Sequence, residues 1–490
     1  MTARPAPLPV ATPSSVGVDA AGILRLLDAL EASPTQEPHG LMILRHGRII
    51  AEGWWAPYTP TRQQHVYSLS KSFTAAAAGV LYDEGRLDLD APVISFFPEF
   101  ADEITDPRSR RILVRHVASM STGHTREMLD IAVRTDRAEP VRGFLLNPPD
   151  QEPGTVFAYS QPTTYTLAAI VQRLTGRTLV EFLRERVLGP LGADEIAWTQ
   201  GPPGRDIGFS GAFVTTDTIA RLGQLLLRGG DWNGRRILSE EWVRLATSPQ
   251  IATAAGSLGD AASDWARGYG FQHWVSRHGF RGDGAFGQYC LVLPEQDAVI
   301  AYQGQASDMQ ETLDAMWDHL LPAFGAGGAT PGGRAADEEL ADRLARASLP
   351  PLHVDPFEPD AGEWDGAVFD ACEGGWLSAR VERSVGGWRV VLTGSTGDVE
   401  AGLVTGPDAP LWYVTEGPPA VAVSGGFTSP HRLALDVAFL ETPHRLHVVL
   451  ALDPGSRGPA RTGQAMGRWE VPPLGDEHDL VGLAAPDPFG

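Results

Sequence analysis

The chain has 490 residues, 43% of them hydrophobic and 20% charged, the proportions of a folded globular protein long enough for more than one domain. A formal net charge of −22 argues against nucleic acid or an anionic membrane as the main partner, since phosphate binding needs positive patches. Met1 to Val16 (MTARPAPLPVATPSSV) lacks the continuous apolar stretch of an export signal, no apolar run spans a bilayer, and the expected location is the cytoplasm.

In chain order, Leu41 to Leu44, Arg48 to Ala51 and Trp54-Trp55 predict a β-hairpin turning at His46-Gly47. Tyr67 to Gly85 then reads as a helix. Ser68 stands where an N-cap or first-turn residue belongs, Ala75 to Ala78 and Leu81 propagate it, and Asp83-Glu84-Gly85 ends it. Helical patterns recur near 164–176, 216–229 and 239–247, strands near 269–276, 287–293 and 298–303, and Glu311 to Leu321 closes the set as a helix. Helices clustered around an antiparallel sheet make this part an α+β layer structure.

Gly325 to Gly333 (GAGGATPGG) interrupts the pattern, and Ala336 to Ala347 forms a short charged helix ending before Pro350-Pro351. Short β runs follow at Trp376 to Val381, Trp388 to Leu392, Leu411 to Val414, Ala420 to Val423, Leu433 to Leu440 and Leu446 to Leu452, separated by Gly, Pro and Asp clusters. Such spacing predicts a small antiparallel barrel or sandwich. The expected domains are therefore 1–325, a linker with a short helix at 326–354, and a β domain at 355–490. Cys290 and Cys372 lie in different domains with no paired spacing, and the 13 histidines show no metal-ligand pattern, so neither a disulfide, a metal nor another cofactor is expected.

Among 39 basic residues only Lys71 is lysine. Arginine suffices wherever a permanent positive charge is wanted, whereas an amine that is buried or crowded by cations can lose its proton and act as a base. Ser68 and Lys71 stand three residues apart on one face of a first helical turn, where the helix N-terminus also favours a developing oxyanion. This is a Ser-x-x-Lys nucleophile arrangement.

On these residues the segment from about Gly17 to Phe324 resembles the serine β-lactamase and penicillin-binding protein superfamily, and within it the class C and esterase-like branch. Supporting stretches are Glu84 to Asp90 (EGRLDLD), His116 to Gly123 (HVASMSTG), Phe157 to Ser160 (FAYS), and Gly287-Gln288-Tyr289 leading to Leu293-Pro294-Glu295, in the family's order. The resemblance implies that Tyr159-Ser160-Gln161 occupies the place of the Tyr-x-Asn motif. Tyr159 would then be a phenol held partly ionised beside Lys71, accepting or relaying the Ser68 proton, and Gln161 a substrate-binding amide whose longer reach stays open.

The family's third motif, Lys-Thr-Gly, cannot be present without a second lysine. The matching segment is Arg281 to Gln288 (RGDGAFGQ). It implies an oxyanion hole from the backbone N–H groups of Ser68 and, to within one residue, Ala285, with Asp283, Gly284 and Gln288 beside the substrate and Arg281 or His278 as possible substitute cations. The missing lysine disfavours β-lactam hydrolysis.

The expected activity is ester or amide hydrolysis through an acyl-enzyme on Ser68, with a small-molecule or peptide-like acyl substrate. Transfer to a non-water acceptor and a non-catalytic sensor or binding protein on the same fold are the alternatives. Gly208-Phe209-Ser210-Gly211 has the wrong spacing for a Gly-x-Ser-x-Gly elbow, and the Gly-rich stretch at 325–333 lacks the lysine of a P-loop. His65, His124, His273 and His278 are expected to be structural. The β domain is similar in architecture to lipocalin-like domains appended to some serine peptidases of the superfamily. Capping the cleft, binding a substrate tail and mediating a homodimer are its open roles.

Overall fold

The computed structural model describes residues 7–193, 195–253, 263–325, 333–355, 357–371, 376–405, 411–453, 455, 461–475 and 479–486. Cys372 and most of the Gly-rich stretch at 325–333 lie outside these residues.

Helix α1 (Ala20–Ala32) starts at Asp19, whose carboxylate accepts the Ala21 N–H at 3.1 Å. Strands β1 (Gln36–Arg45) and β2 (Arg48–Trp54) form the expected hairpin. Its turn residues His46 and Gly47 have φ of 53° and 70°, the left-handed pair that matches strand twist in a two-residue hairpin. After α2 (Ser70–Asp83), α3 (Gln161–Thr175) and α4 (Thr216–Leu227), the chain returns to the sheet as β3 (Trp274–Val275), β4 (Phe280–Gly284), β5 (Gln288–Leu293) and β6 (Ala298–Ala306). The six-stranded sheet has the order β3-β4-β5-β6-β1-β2 and is antiparallel throughout, so its edges come from opposite ends of this part of the chain.

Alternation along the central strands sorts side chains onto two faces. Met42, Leu44, Cys290, Val292, Val299 and Ala301 pack with α2, α3 and α4, whereas Leu41, Ile43, Tyr289, Leu291, Ile300 and Tyr302 pack with α1 and α5 (Met309–Ala315). Helix α6 (Gly333–Ala345) joins the second layer through Leu340 and Leu344. Both faces being covered, the strands read as continuous apolar runs although the sheet is antiparallel.

The C-terminal domain is a nine-stranded sheet: β7 (Ala367–Ala371), β8 (Ser378–Ser384), β9 (Gly387–Thr393), β10 (Asp398–Leu403), β11 (Tyr413–Thr415), β12 (Val421–Ser429), β13 (Arg432–Phe439), β14 (Arg445–Leu452) and β15 (Thr462–Trp469). The order is β10-β9-β8-β7-β15-β14-β13-β12-β11. Gly402 N–H of β10 donates to Thr415 Oγ1 of β11 at 2.8 Å, so the edge strands meet in a nearly closed barrel. One pair departs from the antiparallel expectation, since β7 runs parallel to β15 where the first strand closes on the last.

The two domains share a core, with Trp412, Ala420, Ala422, Ala438 and Leu440 joining the apolar cluster that holds Trp55, Tyr58 and Leu349. Above it Arg445 donates to Glu37 at 2.6 Å, pairs with Asp436 and lies 5.2 Å from the Trp412 ring. Both carboxylates are largely out of water, so removing their cation leaves charge stranded. Arg445→Met should lower the unfolding free energy by about 3–5 kcal/mol, read from urea denaturation, and adding Glu37→Gln should recover part of it. A loss under about 1 kcal/mol would mean the network does not hold the domains together.

Candidate active site

Ser68 sits in a 3-10 turn, Tyr67–Leu69, that runs directly into α2 at Ser70, rather than in the first turn of the α-helix itself. The consequence for spacing is the same. Lys71 Nζ lies 2.9 Å from Ser68 Oγ and donates to Phe209 O at 2.7 Å. Lys71 is only 1% exposed. Burial pulls its pKa down from 10.5 to about 7, against the opposing pull of the Glu127 and Asp283 carboxylates. A pKa near 7 leaves part of the amine unprotonated near neutral pH. The Tyr159 ring stands 4.8 Å from Nζ and the Phe209 ring 5.9 Å, which favours whatever ammonium remains.

Tyr159 ends the loop before α3, stacked on Trp274 at 5.4 Å and edge-on to Tyr269 at 6.1 Å. Burial first, and then the Asp283 charge, raise the Tyr159 pKa above the ordinary 10.0. This corrects the expectation of a partly ionised phenol: the group is protonated at neutral pH, suited to relaying a proton and not to holding a standing negative charge.

Gln161 is the first residue of α3, and its N–H donates to Glu127 at 2.9 Å. Its side-chain Oε1 is buried with no partner among the described residues. Glu127 also accepts the Leu129 N–H at 2.7 Å. Nothing in the sequence singled out Glu127, because its influence on Lys71 depends on a fold that brings the segment before the Leu129–Thr135 helix beside α2.

Strand β4 lies against the nucleophile turn. A Cβ on Gly284 would come within 2.1 Å of Val66 O, and one on Gly282 within 2.2 Å of Ser72 Oγ, so glycine is required at both by close approach. Ala285, half-buried, opens the turn to β5, with Phe286 and Gly287 at φ of 64° and 87°. Asp283 is buried and accepts from Arg281 Nε at 2.9 Å. Arg281 is 0% exposed, 4.6 Å from the Trp265 ring and 5.9 Å from that of Trp274, and its Nη1 donates to Ser276 Oγ at 2.6 Å. Its Nε and Nη1 are thus engaged, while Nη2 is buried with no partner among the described residues, so the substitute cation expected here is an enclosed one.

His278 packs edge-on to Trp317 at 5.1 Å. Gln288 is 1% exposed and donates to Gly304 O at 2.6 Å and Phe286 O at 3.3 Å. Its amide braces the turn, a use different from the substrate contact expected.

The Gly208-Phe209-Ser210-Gly211 stretch, no nucleophile elbow, nevertheless supplies the Phe209 carbonyl to Lys71, while Gly208 O accepts from Thr74 Oγ1 at 2.8 Å. His65 Nε2 accepts the Gly211 N–H at 3.1 Å, leaving that ring structural. Among the described residues, no cluster of His, Cys, Asp and Glu is arranged for a metal ion, and no helix is long and apolar enough to cross a membrane.

Comparison with known proteins places the chain among relatives of similar fold. The 6-aminohexanoate-dimer hydrolase of Paenarthrobacter ureafaciens is 28% identical over 278 residues, covering 53% of this chain and 70% of its own. Esterase EstB of Burkholderia gladioli is 26% identical over 220 residues, 39% of this chain and 56% of its own. A penicillin-binding protein homologue from Caulobacter crescentus shares the fold, with a TM-score of 0.50 at 18% identity over 62% of this chain and 99% of its own. The β-lactamase family pattern matches residues 32–321, more than half of the sequence, and the chain belongs to that family.

Proposed function

We propose that the protein is a serine hydrolase that cleaves an ester or amide bond through an acyl-enzyme on Ser68. The observation that carries this reading is the 2.9 Å approach of a fully buried lysine amine, at about pKa 7, to the serine hydroxyl. The names of the relatives, an amide-dimer hydrolase and an esterase, support the same bond classes.

In the proposed mechanism Ser68 Oγ attacks the acyl carbonyl and its proton passes to neutral Lys71 Nζ, directly or through the Tyr159 hydroxyl. The oxyanion forms against the N–H groups of Ser68 and Ala285. On collapse the C–O or C–N bond to the leaving group breaks, and that group takes a proton back from Tyr159, recharged by Lys71. Water then adds to the acyl carbon, loses its proton to the amine, and Ser68 leaves with that proton restored. Gln161, with a free amide oxygen, would orient the acyl chain by accepting an N–H or O–H from it. Arg281 is fully buried and paired through Nε with Asp283, which favours acyl groups lacking a carboxylate.

Three outcomes test this. Incubated with p-nitrophenyl esters, D-amino-acid amides and linear amide oligomers, the protein should form an acyl adduct seen by intact mass and absent in Ser68→Ala; rapid turnover of nitrocefin would contradict the substrate reading. Lys71→Arg keeps the charge without an accessible neutral form, so acylation should fall by about 10²–10⁴ while the fold survives, and an active variant would overturn the mechanism. Because the neutral amine is the base, kcat/KM should rise about tenfold per pH unit below about 7 and level off above it. A flat profile between pH 5 and 9 would remove Lys71 from that role.

A further inference from the structure

Tyr67, the residue before Ser68, has φ of 46°, a left-handed conformation that a bulky side chain adopts only when its surroundings impose it. Those surroundings are aromatic. The His65 ring stacks on it at 4.0 Å and Phe286 meets it edge-on at 5.2 Å. The third neighbour, His444, comes from the turn between β13 and β14 of the C-terminal domain, 377 residues away in sequence. Tyr67 Oη and His444 Nε2 are hydrogen-bonded, and the His444 ring lies 5.2 Å from Phe286.

The direction of that bond follows from the other side of the imidazole. His444 Nδ1 is 3.1 Å from Val471 O, which can only accept, so Nδ1 carries the proton and Nε2 is bare. Tyr67 O–H therefore donates to His444. The imidazole is fully buried, and burial lowers its pKa to about 4, so this tautomer is uncharged at neutral pH. The same turn is tied to the chain ahead of the nucleophile, since His65 N–H donates to Glu441 O at 2.8 Å.

One side chain of the appended domain thus touches two left-handed residues, Tyr67 and Phe286. They adjoin the two backbone N–H groups assigned to the oxyanion hole, those of Ser68 and Ala285. We propose that the C-terminal domain is a working part of the active site, with His444 as a positioning residue that fixes the Tyr67 and Phe286 turns and through them the nucleophile and oxyanion donors. This inference rests on Ser68 being the nucleophile. It goes beyond that reading in giving the β domain a part in acyl transfer.

The test is the second-order rate of phosphonylation of Ser68 by a p-nitrophenyl alkylphosphonate, followed by p-nitrophenolate release and intact mass. It is run on the full chain with the folded fraction fixed by near-UV circular dichroism. Tyr67→Phe removes only the donating hydroxyl, His444→Ala removes the ring, and His444→Gln keeps one donor and one acceptor. We expect the first two each to slow labelling about 10–100-fold, the size of effect that a small misplacement of reacting groups produces. The Tyr67→Phe/His444→Ala double variant should be no slower than His444→Ala alone, and His444→Gln should stay within a few fold of the parent. Labelling of folded Tyr67→Phe and His444→Ala at the parent rate would overturn the inference alone and leave Ser68 as nucleophile. Absence of labelling in the parent would overturn the nucleophile reading, and this inference with it.

Discussion

Holding the Lys71 amine out of water and against the Ser68 hydroxyl is the constraint on which the rest of the structure depends. An ammonium loses much more than an amine on leaving water, so burial itself favours the neutral amine. The surroundings are built for that burial. Twelve of the fourteen residues of α2 are buried, and the run Ala75–Ala78 lets neighbouring elements close on its backbone. Gly282 and Gly284 allow β4 to reach the nucleophile turn, which a single added methyl would prevent. The Phe209 carbonyl gives the amine one fixed acceptor, and the Glu127 and Asp283 charges keep its pKa from falling further. Arginine, common everywhere else in this chain, could not supply a neutral nitrogen there, because its guanidinium stays charged.

The same economy of lysine shapes the opposite wall. A Lys-Thr-Gly strand would place an exchangeable ammonium there, whereas β4 carries Asp283 held by a buried, tryptophan-flanked Arg281. That pair is buried and hydrogen-bonded through Nε, while Arg281 Nη2 has no partner among the described residues. The electrostatics of Lys71, the proposed base, and of the opposite wall thus meet at one carboxylate, Asp283, which lies close enough to act on Lys71 and Tyr159 and is paired with Arg281.

What could be read from the sequence was what depends on near neighbours. Ser68 and Lys71 are three residues apart, so helical geometry alone brings them together, and the His46-Gly47 turn follows from two adjacent residues. The strands of the first sheet were legible because both their faces are apolar. Three strands of the C-terminal domain were missed, each diluted by small or charged residues: β15 (TGQAMGRW) buries Gly463, Ala465, Gly467 and Trp469 in strict alternation, β10 buries Val399, Ala401 and Leu403 between Asp, Glu and Gly, and β7 buries Ala367 and Phe369 in a run of five that ends in Asp and Ala. In β10 and β15 the alternation is intact but the hydrophobicity is low. Glu127 and His444 were invisible for another reason, since each acts on the site through long-range contacts that only the fold creates. The protonation of Tyr159 was misread because the sequence shows its charged neighbours but not its burial, which is the larger influence.

Because the chain has a single lysine, incorporation of lysine labelled with carbon-13 at Cε yields one side-chain resonance, and its chemical shift against pH reports the ionisation of Lys71 without mutation or substrate. The midpoint should lie near 7 in the folded protein and return to about 10.4 on unfolding in urea. A midpoint near 10 in the folded protein would mean that Lys71 is an ammonium at neutral pH, and that the base for Ser68 has to be sought elsewhere.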